Sequence, residues 1–566
     1  MDAHLREQAD RGGSRRRRPR YAGWTAAAGL LLAAAGAVSA LSPRAPGGGS
    51  AAGLFHPKMS AALTRIAAGA AADEPEAGGL FRKSRGDGAD GMIRVVAEMT
   101  SSITTLTGQA SAAMLKAKIE TLGGRAEARW RNRLQALVPA GALDTLAADP
   151  FVRRLRLPLH PKKLQVTSEG VARTGADLWT SIPAYRTGSA AKICVLDVGF
   201  TGYQALLGTE LPSKVTARSF RADGDIGAGE EHGLACAEIV HDMAPDAQMW
   251  LVNFDTDVEE GEAVDWIAQQ GVQVISYSLG WYNAGAGDGT GPIDSDVEYA
   301  VSQGLLWSSA AGNEAISHWE SAFSDADADG WHNFSASSRY LEFHVPAYEE
   351  VDVSLNWKDW GTWNGWDYSG TNQDYDLYLY IKQGSTYVLV DSSTNVQKNG
   401  GEWPTEDIYG WYSTKDATWA VSIKRVSGTK SVPLEMFVDG SDVTIPYVVP
   451  AHSIIVPADS SSAIAVGATD WEDDSYHYYS SQGPTWDGRI KPDLTAPSGV
   501  STATYGRWNF YGTSASAPHV AGACGLYRGK TPFTAAQVRT LLQKRAVDLG
   551  AVGQDNVYGY GRLNLK

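Results

Sequence analysis

Lys192-Ile-Cys-Val-Leu-Asp197 is apolar at every interior position, and two mostly apolar runs follow, Val272-Gln-Val-Ile-Ser-Tyr-Ser278 and Leu305-Leu-Trp-Ser-Ser-Ala310. Strand side chains alternate between two faces, so a strand that is apolar at successive residues must be covered on both. Amphipathic stretches separate the runs: helices are predicted over 234–243, 263–270 and 296–302, and another strand over 248–254. This βαβ rhythm predicts a mostly parallel sheet between helical layers, a three-layer α/β fold. In such sheets the working side chains gather at the carboxyl ends of strands and in the helices that follow.

Polar residues stand at those places. Asp197 closes a strand in Val-Leu-Asp-Val-Gly, His232 precedes a helix in Glu-His-Gly-Leu-Ala-Cys, Asn313 follows a strand in Ala-Ala-Gly-Asn, and Ser514 opens a helix in Gly-Thr-Ser-Ala-Ser-Ala-Pro-His. A serine hydroxyl is a weak nucleophile unless an imidazole takes its proton, and the imidazole needs a carboxylate to fix its tautomer. An amide donor and a helix N-terminus beside the serine would stabilise the oxyanion that forms. Taken singly, each residue has a plainer explanation, a turn, a structural histidine or an N-cap. The four together, in this order, point to acyl transfer.

In these motifs the chain resembles the subtilisin-like serine proteases. The resemblance spans about residues 191–313 and 457–565 and extends to 481–484, Lys491-Pro492-Asp493 with Ala496-Pro497, and the closing Gly559-Tyr560-Gly561-Arg562. The order Asp, His, Ser fits that family and not the α/β-hydrolases, whose GxSxG elbow is missing around Ser514. The resemblance implies an endopeptidase with Asp197 as orienting acid, His232 as general base, Ser514 as nucleophile and Asn313 as oxyanion donor. It also implies that Ser278, Leu279 and Gly280 pair with the substrate backbone as an added strand, with Ala311 and Gly312 lining the same cleft. Leu234, Ala235 and Glu238 depart from the family pattern, and Cys236 stands where some members keep a free thiol beneath the histidine; here it reads as a small buried hydrophobe. An esterase would share this chemistry. The opposing class is a binding protein that keeps only the scaffold, for which four catalytic groups would have no use.

Upstream, strands over 93–99, 125–138 and 151–157 and helices over 111–122 and 140–148 predict a small α+β domain, residues 91–165. Family members carry a propeptide of this pattern, so the resemblance implies an intramolecular inhibitor, removed by a cut between about 157 and 173. The charges agree with two parts that attract: residues 1–163 hold 25 Lys+Arg against 13 Asp+Glu, and the remainder 24 against 51. Residues 41–90, rich in Ala, Gly and Pro, read as a linker. Residues 1–40 read as an export signal, with Arg15 to Arg18 and Arg20 ahead of an Ala/Leu-rich stretch ending in Val38-Ser39-Ala40. That stretch is shorter than the ~20 residues of a membrane span, so cleavage near Ala40 and an extracellular, membrane-free protein are expected, an uncleaved anchor being the alternative.

Asn313 and Ser514 are 201 positions apart, and the family pattern resumes only at Val456-Pro457-Ala458. Between them, period-two runs such as Val351, Val353, Leu355, Trp357 and Trp419, Val421, Ile423 predict an all-β, sandwich-like insert over 314–450. It divides the catalytic unit into 166–313 and 451–566. Within it, Asp325, Asp327 and Asp329 stand at alternate positions before Gly330, a spacing that aims carboxylates at Ca²⁺ but lacks the bidentate Glu of an EF-hand; a solvated acidic turn is the alternative. Nine of the 19 Trp also fall in the insert, for packing first and for gripping a polypeptide or sugar second.

Composition sets the outer limits. With 43% hydrophobic and 20% charged residues, the chain is neither a polytopic membrane protein nor disordered throughout. Three cysteines, Cys194, Cys236 and Cys524, are too few and too scattered for a disulfide scaffold. A net charge of -15 argues against nucleic acid as a partner. Polypeptide substrates and the chain's own propeptide are the expected partners, with a monomeric protein and no organic cofactor.

Overall fold

The computed structural model describes residues 58–67, 81–83, 92–101, 105–159, 162–163, 169–181, 188–397, 402–440, 443–530 and 533–566. The segment read as an export signal lies outside them. Among the described residues, no helix is long and apolar enough to cross a membrane.

The apolar runs form the middle of a seven-stranded parallel sheet, in the order Leu494–Ser498, Ile464–Asp470, Leu306–Ala310, Val274–Tyr277, Lys192–Asp197, Gln248–Asn253, Thr216–Ser219. Alternation along Lys192–Asp197 decides what packs where. Ile193 and Val195 face the helices His232–Met243 and Thr513–Lys530. Cys194 and Leu196 face the helices Asp257–Gln269 and Pro292–Ser302. From Lys192–Asp197 the chain first builds toward one edge and then, from Val274–Tyr277 on, toward the other, so the order reverses between these two strands. A crevice opens at the carboxyl ends of strands where the order reverses, and Asp197 and Ser278 stand on its two sides.

The insert is a sandwich. A five-stranded sheet (Phe81–Lys83, Thr405–Ser413, Glu350–Trp357, Pro433–Asp439, His318–Ala322) faces a four-stranded one (Leu341–Val345, Ala417–Ser427, Asp374–Gln383, Thr386–Ser393). Val351, Val353, Leu355 and Trp357 from one sheet meet Leu377, Leu379, Trp419 and Val421 from the other in one core.

The small domain has a four-stranded antiparallel sheet, Arg125–Trp130, Arg133–Pro139, Met92–Met99, Val152–Arg156, with the helix Leu106–Thr121 on it. The helix is capped by the Thr105 side chain, which accepts from the Gly108 amide at 3.0 Å. Two elements fall in the stretch read as a linker, and that reading needs correction there. The helix Ala61–Ala67 puts Leu63, together with Met59, into the small domain's core, and Phe81–Lys83 supplies the insert with its edge strand. An alanine-rich turn with two apolar anchors gives little periodic contrast, and three residues are too few to show alternation.

Candidate active site

Asp197 ends its strand with its side chain buried, and the first turn of the next helix brings His232 over it. The Gly233 amide donates to the Gly199 carbonyl at 3.1 Å, which ties that turn to the strand's exit loop. His232 Nδ1 lies 3.0 Å from each Asp197 carboxylate oxygen, and the Val198 amide also donates to Oδ1 at 2.8 Å. Both side chains are fully buried, as is Ser514. A buried carboxylate on Nδ1 holds a proton there and leaves Nε2 basic, as a general base requires.

Ser514 is placed by a defect in its own helix. Pro518 lies inside Thr513–Lys530 and has no amide hydrogen to give the carbonyl four residues back, that of Ser514. The released carbonyl accepts instead from Ser278 Oγ at 3.0 Å and from Cys236 Sγ at 3.6 Å. Cys236 is one turn beyond His232 on the same helix face, so this contact brings the first turns of the two helices together. The Ser514 hydroxyl donates to the Ser278 carbonyl at 3.0 Å. Burial, with the Asp197 charge nearby, pushes the Cys236 thiol well above its ordinary value, so it serves as a packed donor and not as a thiolate. Neither the proline's effect nor the Ser278 and Cys236 contacts follow from the motifs.

Across the crevice, Asn313 Oδ1 accepts from the Thr513 amide at 2.9 Å and from Thr513 Oγ1 at 3.1 Å. With its oxygen held by two donors, the side chain turns Nδ2 away from Thr513 as the donor it can still offer. Gly312 precedes it at φ +110, a conformation that an L side chain rarely adopts, and a Cβ there would press on Ser481 Oγ and Ile455. Its amide donates to Thr513 Oγ1 at 3.2 Å, and the Ala311 amide to the Val466 carbonyl at 3.0 Å.

Leu279–Gly280 forms the edge expected to take a substrate strand, and Lys162–Lys163 pairs with it antiparallel, Lys163 opposite Leu279 and Lys162 opposite Gly280. A Cβ at Gly280 would collide with the Ile455 side chain, so glycine leaves that side chain its room behind the edge. Glu238, one of the departures from the family pattern, is buried, and its carboxylate accepts from the amides of Ala503 at 2.5 Å and Thr504 at 3.1 Å. It thereby fastens the loop leading to Ser514 to the histidine helix.

Asp325, Asp327 and Asp329 offer carboxylate oxygens within 4.8 Å of one another, at the margin of the insert and apart from the Asp197, His232 and Ser514 group. Part of their capacity is used inside the loop: Asp325 accepts from the amides of Asp329 at 3.0 Å and Gly330 at 3.1 Å, and Asp329 from the amide of Trp331 at 2.9 Å. The remaining lone pairs and the short reach between the three fit a hard cation.

Fold and site together define an α/β protein of the subtilisin-like type. Residues 188–349 and 379–561, more than half of the chain, match the model of the subtilase family (Peptidase_S8), and the chain belongs to that family. It is 37% identical over 117 residues to subtilisin BL of Lederbergia lenta, across 20% of this chain and 41% of the relative. Over 128 residues it is 37% identical to subtilisin amylosacchariticus of Bacillus subtilis subsp. amylosacchariticus, across 22% of this chain and 29% of the relative. The matched stretch thus spans less than half of the length of these relatives. Among solved structures, the Clostridium perfringens CspB protease aligns with a TM-score of 0.47 at 14% identity, covering 70% of this chain and 97% of that one. Fervidolysin from Fervidobacterium pennivorans aligns with a TM-score of 0.42 at 14% identity, covering 85% and 61%.

Proposed function

We propose that this chain is a secreted serine endopeptidase made as a self-processing precursor, in which Ser514 attacks the peptide carbonyl, His232 takes its proton, Asp197 orients the imidazole and Asn313 donates to the oxyanion. The observation that carries this is the Asp197–His232 pair at 3.0 Å, joined through Cys236 to the turn that bears Ser514. In the acyl step, the Ser514 Oγ–carbonyl carbon bond forms, the proton passes to His232 Nε2 and then to the leaving amine, and the C–N bond breaks. Water then repeats the sequence to release the acid. Side-by-side assays on an unfolded protein and a simple ester test the reading: a protease cleaves the protein and its own precursor, whereas an esterase cleaves the ester alone.

The paired Lys162–Lys163 strand supports the small domain's role as inhibitor. It runs along Leu279–Gly280 toward Ser278, whose carbonyl receives the Ser514 hydroxyl. The bond cut in maturation therefore follows Lys163 closely, inside the 157–173 window. Removing the donor amide should slow the chemistry without weakening substrate binding. Asn313→Ala is expected to lower kcat by about 10²- to 10³-fold with little change in KM, read by steady-state kinetics on a peptide.

Calcium, which subtilases commonly bind, would be held here by Asp325, Asp327 and Asp329, where it would brace the loop between the His318–Ala322 and Leu341–Val345 strands. A ligand that binds only the folded state stabilises it by mass action. EDTA should lower the Tm of the wild type and added Ca²⁺ restore it, while Asp327→Asn should abolish the response. An unchanged Tm in the wild type would assign these residues to a solvated acidic turn.

A further inference from the structure

The insert carries an aromatic cluster that is not part of its sandwich core. Trp360, Tyr368 and Trp403 pack together with ring centroids 4.9 to 5.9 Å apart, and Trp363 packs against Tyr368 at 4.9 Å. The cluster is anchored to the catalytic unit. The Tyr368 hydroxyl accepts from the Ala286 amide at 3.0 Å and donates to the Thr290 carbonyl. Ala286 and Thr290 lie in the loop that leaves the Leu279–Gly280 edge, so the cluster is held near the end of that edge remote from Ser514. Next to it stand two acids. Asp367 accepts from Trp403 Nε1 at 2.9 Å, and Glu402 is adjacent in sequence.

This face is covered by two consecutive arginines of the small domain. Arg153 places Nη1 2.5 Å from Asp367 Oδ2, and the Arg154 guanidinium lies 5.9 Å from the centre of the Trp403 ring. A carboxylate beside an indole face is the chemistry that selects guanidinium: the ion pair fixes its charge, the ring its plane. The aromatic rings pack on one another and against Ala286 of the catalytic unit. Trp366, from the same loop, is 52% exposed even with the small domain seated.

We infer that the Asp367–Trp403 face of the insert is an exosite for arginine-bearing segments of polypeptide substrates, filled in this precursor by Arg153 and Arg154. The inference rests on the proteolytic reading of Ser514. The small domain occupies two places at once, the strand edge through Lys162–Lys163 and the insert through its arginines, and its departure on maturation would open both to a substrate. A substrate would then be gripped at its cleavage site and at a basic segment on its N-terminal side.

The test uses the matured wild-type enzyme and three peptides sharing one cleavable core: the core alone, the core extended N-terminally by a flexible segment ending in two adjacent arginines, and the same extension with glutamines instead. The arginine peptide is expected to show a KM about tenfold below the glutamine peptide, with equal kcat. Asp367→Asn should erase that difference and leave cleavage of the core unchanged. Equal KM values for the two extended peptides in the wild type, or a difference that Asp367→Asn leaves intact, would overturn the exosite. The wild-type comparison needs no variant, so a misfolded Asp367→Asn does not shield the inference. An enzyme that cuts none of the three peptides fails on the proteolytic reading itself, and the exosite falls with it.

Discussion

Ser514→Ala is expected to accumulate as intact precursor and to have lost peptide hydrolysis by about 10⁶-fold, the size of that loss in a subtilisin triad. The expectation rests on where the hydroxyl sits. It is fully buried and bonded to the Ser278 carbonyl, and its own carbonyl is fixed by Ser278 and Cys236, which sets the nucleophile beside the histidine helix. Alanine removes one oxygen and with it the hydrogen bond to the buried Ser278 carbonyl, so the precursor should stay folded at a cost of about 1–3 kcal/mol. Asp197→Asn should be milder, roughly 10⁴-fold, because it favours the wrong imidazole tautomer while leaving nucleophile and base in place. Mass spectrometry of the purified protein decides the matter: the wild type should yield a fragment that begins within the few residues after Lys163, and Ser514→Ala should not. A Ser514→Ala protein processed at the wild-type position, in the absence of any other protease, would show that the hydroxyl does not perform the cut.

The parallel sheet was legible because burial on both faces writes itself as runs made mostly of apolar residues, as in Lys192–Asp197. Lys192–Asp197 has the predicted boundaries, and the helix predicted from 234 begins two residues earlier, at His232, where the polar Glu-His-Gly sequence hides its start. The positions of Asp197, His232, Asn313 and Ser514 at the ends of elements were also legible, since such chemistry has to lie where backbone polar groups are free. What could not be read is the set of contacts that join distant segments. Ser278 and Cys236 meet Ser514 from 236 and 278 positions away. Glu238 looked like a departure from pattern and turns out to bind the Ala503–Thr504 backbone. Arg133 and Arg156 occupy strand positions in a small domain where solvent is the usual neighbour of arginine, yet they are only 4% and 7% exposed because another domain's acid lies against them.

That acid is Asp257, and its replacement should have the largest effect on how the small domain is held. Asp257 opens the helix Asp257–Gln269 and accepts from Arg133 Nη1 at 2.7 Å and Arg156 Nη2 at 2.5 Å. Burial alone would raise its pKa, but the two guanidiniums hold it far below the ordinary carboxylate range; Glu98, likewise buried, is brought down to about 2 by Arg153 and Arg156. Asp257→Ala leaves two buried guanidiniums without their shared partner, a loss of about 3–5 kcal/mol for breaking one side of a buried pair. The released small domain should then bind the matured enzyme about 10²- to 10³-fold more weakly, seen as its failure to co-elute with the catalytic fragment and as earlier onset of activity. Peptide kinetics after full release should stay at the wild-type level, since Asp257 touches none of Asp197, His232, Asn313 or Ser514. The same seat should respond to pH in a direction that can be worked out. The depressed carboxylate of Asp257 supports it above the ordinary carboxylate range and withdraws that support only in strong acid. Glu259, which accepts from Gln135 Nε2 of the small domain at 2.9 Å, is pushed by burial from 4.5 up to about 7. A raised carboxyl favours the seated state while protonated, so its contribution is complete below 4.5 and fades as pH rises through about 7. Dissociation of the small domain should accordingly increase from pH 5 to 8 in the wild type, and Glu259→Gln, neutral throughout, should flatten that rise. A seat that tightens toward alkaline pH, or one indifferent to Asp257→Ala, would mean that apolar contact and not this charge network holds the small domain in place.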